Sequence, residues 1–321
     1  IAILLAAAMA TLGISACRKE NSNKETKVQK DSDIKVVTTI FPEYDWVRQI
    51  AGEEADQMDI TMLLDNGVDL HSYQPTAEDI MKVSDCDLFV YVGGESDAWV
   101  DDALKQAKNK DMQVVDLLDV LGNSAKEEEV IEGMEPEEEE EEPEYDEHVW
   151  LSVKNAEVLS KAIADALEKV DPDHKDIYQE NASAYSEKLK DLDAKYQEVV
   201  DGASQKTLLF GDRFPFRYLV DDYGLSYYAA FVGCSAESEA SFDTISFLAN
   251  KVDELGLKDI MAIENSNQKI AKTIIENTKE KNQKILTLDT MQSTTSDDVK
   301  NGTTYLSVME KNLEVLKEAL Q

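Results

Sequence analysis

The chain has 321 residues, 42% of them hydrophobic and 31% charged, with a formal net charge of -35. That length allows two domains of ordinary size, and the apolar content gives each a core. The acidic balance excludes nucleic acid and an anionic membrane face as partners, because both would repel it, and it favours cations.

Residues Ile1 to Ile14 form an apolar run too short to span a bilayer comfortably. Small residues at its end mark a processing site. Ile14-Ser15-Ala16-Cys17 resembles a bacterial lipobox, so residues 1–16 are expected to be a signal peptide and Cys17 the lipidated first residue of the mature protein. The basic region that normally precedes such a run is missing, which implies that the first few residues are absent from the chain. An ordinary secretory signal with a chance cysteine is the alternative. Residues 17–33 are polar and read as a flexible tether. Either way the protein is expected to be exported.

From Ile34 strands and helices alternate. Lys35 to Ile40 is β-branched and nearly continuous, as a strand buried on both faces should be. Tyr44 to Ala51 predicts a helix closed by Gly52, and Asp59 to Leu64 a second strand leading into a loop that carries His71. Thr76, with Asp79 three residues on, starts the next helix in a capping-box arrangement. Leu88 to Val92 and Gln113 to Leu117 are further strands. Strands separated by helix-length segments imply a parallel, doubly wound α/β sheet with ligand sites at the carboxyl ends of its strands.

Glu127 to Glu147 is almost all glutamate and is expected to be a solvated, mobile loop. It ends on His148, one of only three histidines, followed by the apolar Val149-Trp150-Leu151. A device for collecting cations is one reading, and an acidic spacer that keeps the chain soluble is the other. Ser152 caps a helix with an apolar face. Then Tyr178, Ala182, Tyr185, Leu189, Leu192, Tyr196 and Val199, spaced alternately four and three apart, predict an uninterrupted helix of ~25 residues, roughly 37 Å long. That helix reads as a rigid brace; a coiled-coil dimer helix is the alternative, with about two heptads. Four more strands, ending near Phe210, Phe231, Glu264 and Asp289, and a final helix from Tyr305 to Leu320 complete the chain. The expectation is two α/β lobes, 34–170 and 204–321, each with a mainly parallel doubly wound sheet, joined by one long α-helix within 171–203.

The chain has no nucleophile elbow, no P-loop and no H-E-x-x-H, and nothing supports an enzyme. His71, His148, Asp212, Glu264 and Asp289 each fall at a strand end or between lobes, where they could meet in one cleft. Imidazole plus carboxylate suits zinc or manganese. A satisfied surface or core histidine is the bland reading for each ring, and His174 fits it. Cys86 and Cys234 are read as small buried hydrophobes, and three scattered cysteines make neither a disulfide framework nor a C-x-x-C zinc site.

The segments Val37-Thr38-Thr39-Ile40-Phe41-Pro42-Glu43-Tyr44-Asp45, His71-Ser72-Tyr73-Gln74-Pro75-Thr76, Asp87-Leu88-Phe89-Val90-Tyr91, Glu147-His148-Val149-Trp150-Leu151 and Leu286-Thr287-Leu288-Asp289 resemble the solute-binding lipoproteins of zinc/manganese ABC importers. The resemblance implies His71 and His148 as first-lobe metal ligands and Asp289 as a second-lobe ligand. The family's remaining ligand, histidine in zinc members and glutamate in manganese members, aligns with Arg213. A guanidinium has no lone pair to give a metal. Asp212, Glu239 or a water are the substitutes, and Arg213 is free to pair with a carboxylate. The acidic loop before His148 favours zinc over manganese. The implied function is capture of that ion, with affinity falling below pH about 6.5, and delivery by a monomer to an ABC permease from the outer face of the membrane. A surface adhesin or interaction module with weak metal binding is the alternative.

Overall fold

The computed structural model describes residues 34–134, 144–235 and 239–321. The expected signal peptide, the tether, the lipidation site Cys17 and the middle of the acidic run lie outside the described residues.

The chain from Asp33 onward is one compact unit that runs through two copies of one sheet plan. In the first, β1 (Ile34–Thr38) leads to α1 (Phe41–Ala51), β2 (Met58–Met62), α2 (Ala77–Asp85), β3 (Leu88–Tyr91), α3 (Val100–Lys105), β4 (Gln113–Asp116) and α4 (Leu117–Leu121). Two helices follow, α5 (Val153–Val170) and α6 (Lys175–Asp201). The second copy contains β5 (Thr207–Phe214), α7 (Arg217–Tyr223), β6 (Ser226–Val232), α8 (Phe242–Leu255), β7 (Asp259–Ile263), α9 (Lys269–Asn277) and β8 (Lys284–Leu288), then α10 (Ser296–Lys300) and α11 (Tyr305–Ala319). The sheet orders are β2-β1-β3-β4 and β6-β5-β7-β8, and every pairing between these strands is parallel. Each sheet therefore reverses its winding at its central strands, where a crevice opens beyond their carboxyl ends.

Local chemistry explains the elements. Val36 and Val37 of β1 are buried on both faces, which is why the strand reads as a continuous apolar run. Pro42 lies in the first turn of α1 rather than ending the strand before it; its missing N–H is one that an initial turn leaves unpaired anyway. The Glu43 carboxylate accepts from the backbone N–H of Thr39 at 2.8 Å and of Ile40 at 3.2 Å. Thr76 and Asp79 form the expected capping box on α2.

The long helix is α6, 27 residues from Lys175 to Asp201, and it braces both lobes. Tyr178, Tyr185, Leu189, Leu192 and Tyr196 of its apolar stripe are buried. Tyr196 Oη donates to the Met309 carbonyl of α11 at 2.7 Å. The final helix also returns to the first lobe: Asp45 of α1 accepts from the Tyr305 N–H at 3.0 Å, and Tyr305 Oη donates to the Trp150 carbonyl at 2.7 Å. One hydrophobic core runs through both lobes, from Val36 and Phe89 to Phe210 and Leu316. A hinge that opened widely would tear this core, so lobe movements are confined to small ones.

A candidate metal site between the lobes

Two short turns present the histidines. His71 lies in a 3-10 turn, Leu70–Ser72, after β2, and Asp69 caps the turn by accepting from the His71 N–H at 3.1 Å. His148 opens a second 3-10 turn, Val149–Leu151. Asp146 Oδ1 accepts from the His148 backbone N–H at 2.8 Å and lies 2.9 Å from its Nδ1. Behind it, Trp150 is buried and its indole donates to the Thr290 carbonyl of the second lobe at 2.8 Å.

The rings meet. His71 Nε2 and His148 Nε2 are 3.1 Å apart, although 77 residues separate them in sequence. The Nδ1 atoms both point away: His148 Nδ1 to the Asp146 carboxylate, and His71 Nδ1 to Ser96 Oγ at 2.9 Å, with Glu147 Oε2 nearby at 3.3 Å. An imidazole whose Nδ1–H is held by a carboxylate carries its lone pair on Nε2, the arrangement that orients metal-bound histidines. Two lone pairs aimed at each other call for something electropositive between or beside them. Gln292 supplies part of this, with its amide Nε2 3.3 Å from His148 Nε2 and its Oε1 accepting from the Leu70 N–H at 3.4 Å.

Burial, then the neighbouring His71 and Arg213, push the His148 imidazole well below its ordinary pKa, which favours the neutral, lone-pair-bearing form of this ring. Burial pushes Asp146 up to about 7. Burial also pushes Glu147 upward, but the hydrogen bonds and charge of His71 and the Ser96 contacts outweigh it and hold this carboxyl below the usual range.

The third donor is one that the sequence reading set aside as a buried hydrophobe. Cys234 stands just past the end of β6, and its Sγ lies within 4.8 Å of a ring nitrogen of both His71 and His148. These three are the one such donor group among the described residues. The signal available in the sequence was position alone, because Gly233-Cys234 follows directly on a predicted strand of a parallel sheet. Gly233 lets that strand end approach closely: a Cβ there would lie 3.1 Å from the His148 ring and 3.0 Å from the Phe214 carbonyl. Cys86, by contrast, is the buried residue expected, donating to the Val83 carbonyl.

The other expected ligands are not part of that three-donor group. Asp289 follows β8, but its Oδ1 accepts from the Met291 N–H at 2.8 Å, and it is outside the three-donor group. Asp212 Oδ1 accepts from the Arg213 N–H at 3.0 Å, while its Oδ2 has no partner. Both Asp212 and Asp69 line a 340 Å³ cleft that also reaches Ser72 and Ser235, the neighbours of His71 and Cys234. Glu239 is exposed and pairs with Lys269 at 2.9 Å. Arg213 forms an ion pair across the cleft with Asp69, the pairing with a carboxylate that the sequence left open. His174 pairs with Asp171 at 2.7 Å on the surface, well away from the other two rings in role.

The acidic run is not free at its ends. Glu127 and Tyr145 form an antiparallel bridge, and the Glu128 N–H donates to the Glu144 carbonyl at 2.8 Å. Lys126 N–H donates to Tyr218 Oη at 3.0 Å, Glu129 pairs with Arg217, and Glu128 accepts from the Cys234 N–H at 2.9 Å. The expectation of a mobile tract fails there because the glutamates meet second-lobe cations and N–H donors.

Two parallel α/β lobes braced by one long helix, with two oriented imidazoles and a thiol converging between them, are the plan of a two-lobed solute-binding protein whose site suits a transition-metal ion. The chain belongs to the family described as ZnuA, zinc-uptake complex component A, periplasmic, whose profile matches residues 36–319. It is 34% identical over 319 residues to the zinc-binding lipoprotein AdcA of Streptococcus pneumoniae, covering 98% of this chain and 60% of AdcA. It is 31% identical to the high-affinity zinc uptake system protein ZnuA of Bacillus subtilis, covering 96% of this chain and 93% of that protein. Among solved structures, the zinc-bound ZnuA-like domain of the pneumococcal AdcA superposes with a TM-score of 0.70 at 31% identity, covering 90% of this chain and 99% of that domain. The laminin-binding protein Lmb of Streptococcus agalactiae, described as bifunctional with adhesin and metal-transporting activity, gives 0.74 at 26%, covering 90% and 100%. The chain thus spans about three fifths of the AdcA relative it matches. The family is one of extracytoplasmic solute-binding proteins that serve ABC zinc importers, not a family of enzymes.

Proposed function

We propose that this chain captures zinc between its lobes and delivers it to the permease of an ABC importer. The observation that carries the reading is the 3.1 Å approach of two Nε2 atoms, with the His148 Nδ1 held by Asp146 and the His71 Nδ1 by Ser96 beside Glu147. Imidazoles oriented this way are ready-made ligands for a borderline ion. The AdcA and ZnuA relatives, named for zinc, support zinc over manganese. His71 and His148 hold the ion. Asp212 and Asp69 line the neighbouring cleft. Asp289, just past β8, is the second-lobe carboxylate that the family resemblance assigns to the ion.

The same reading takes residues 1–16 as a signal peptide, Cys17 as the lipid-bearing residue and 17–33 as a tether, with 34–170 and 204–321 as lobes flanking the helix within 171–203. The protein then works as a monomer on the outer face of the membrane and performs no catalysis. The adhesin role described for Lmb is the weaker alternative, since the matched sequence relatives are zinc-binding proteins.

Titration of purified protein with zinc in competition with a chromophoric chelator tests the proposal. Submicromolar, one-to-one binding that is lost in His71→Ala/His148→Ala is expected. Equal binding by that double variant would remove the site.

A further inference from the structure

We propose that Cys234 is a second-lobe ligand, binding the ion as a thiolate beside His71 and His148, and that this sulfur makes the site prefer zinc to manganese. The inference rests on the zinc-capture reading and adds a donor to it. Three independent features place the sulfur there. Its Sγ shares a sphere of 4.8 Å with both imidazole donors. Its backbone N–H is tied to Glu128 Oε1 at 2.9 Å, so the strap that carries His148 also fixes the turn that carries the thiol. The residue before it is a glycine packed against the His148 ring, where a Cβ would stand in tight contact, 3.1 Å from that ring.

Arg213 completes the argument by exclusion. It stands where the family resemblance puts an imidazole or carboxylate ligand, but it is committed to Asp69 and has no lone pair. With Arg213 unavailable, the end of β6 offers a second-lobe donor, beside Asp289 at the end of β8. On ligation the S–H bond breaks, a Zn–S bond forms, and the proton leaves through the cleft to water; no electrons are transferred. Thiolate is a soft donor that zinc accepts readily, whereas manganese prefers carboxylate and water oxygen. Three protein ligands leave a fourth tetrahedral position open to water or a carboxylate, which suits an ion that must later be released.

Cobalt(II) is the probe. Wild-type protein loaded with cobalt should show a near-ultraviolet thiolate-to-metal charge-transfer band, present in Cys86→Ser and absent in Cys234→Ser. Zinc affinity should fall in Cys234→Ser by more than the roughly 10–100-fold that outer partners contribute, with manganese affinity unchanged, and Cys234→His should restore zinc binding without the band. A cobalt adduct of the wild type lacking the band, or wild-type zinc affinity in Cys234→Ser, overturns the proposal and leaves zinc capture standing. Failure of the wild type to take up either metal overturns both. The cobalt spectrum of the wild type needs no variant to fold.

Discussion

The Asp146→Asn substitution separates the charge of the carboxylate behind His148 from its shape. Asp146 is buried, and one oxygen, Oδ1, serves both the backbone N–H and the Nδ1 of His148. Asparagine preserves the volume and an accepting oxygen, so the ring keeps its direction but loses a charged partner. Hydrogen bonds to charged groups contribute about 1.5–3 kcal/mol and neutral ones about 0.5–1.5 kcal/mol. The difference, about 1–1.5 kcal/mol, corresponds to roughly a tenfold weaker zinc complex. Asp146→Ala removes the acceptor altogether and leaves the Nδ1–H unpaired in the interior, so the loss should approach roughly 100-fold. Competition with a chromophoric chelator at fixed ionic strength gives both constants, and circular dichroism verifies the fold. Zinc affinity equal to wild type in both variants would refute the claim that the carboxylate orients and polarises the ligand. An equal, large loss in both would refute the division between charge and geometry.

Other predictions follow from packing and from buried charge. Gly94 has φ 81° and faces the Glu147 carboxylate, which lies where a Cβ would go. Gly94→Ala should therefore displace Glu147 from His71 and weaken zinc binding by roughly 10-fold, although residue 94 touches no ligand atom; unchanged affinity by the same competition assay would contradict this. Burial pushes Asp45 up to about 6, and burial with the nearby Glu147 pushes Asp97 up to about 7. Both folded values lie above the unfolded 3.8, so their contribution to stability is present in full below that value and is lost as pH rises through about 6 to 7. The metal-free melting temperature of the wild type, measured against Asp45→Asn/Asp97→Asn by calorimetry, should thus fall between about pH 4 and about pH 7; a constant difference between the two across that range would contradict the burial argument.

Much of the fold was legible because its signals are local. The α6 stripe is read from four-three spacing, and five of its seven positions, Tyr178, Tyr185, Leu189, Leu192 and Tyr196, are fully buried. Strand positions follow from β-branched runs, with ends displaced by a residue or two, and β5 extends to Phe214 because its partner β6 continues the ladder past Phe210. The meeting of His71 and His148 came from a resemblance, since no spacing rule links residues on separate turns. Cys234 was missed for the same physical reason. Its partners lie on other segments, and a lone cysteine after a strand looks like any small apolar residue until the tertiary fold sets it beside two rings. The placement of Asp289 just after a strand was legible, and there one of its oxygens accepts from the Met291 N–H. The ends of the acidic run were misjudged because repulsion among glutamates was weighed without Arg217, which pairs with Glu129, and without Asp221 and Tyr218, which hold the adjoining Lys126.

X-ray absorption at the zinc edge of the one-to-one complex counts the imidazoles around the ion. Two histidine nitrogens at about 2.0–2.1 Å, with their outer-ring scattering, are expected. A shell of oxygen alone, as carboxylates of the acidic run would give, contradicts capture by His71 and His148.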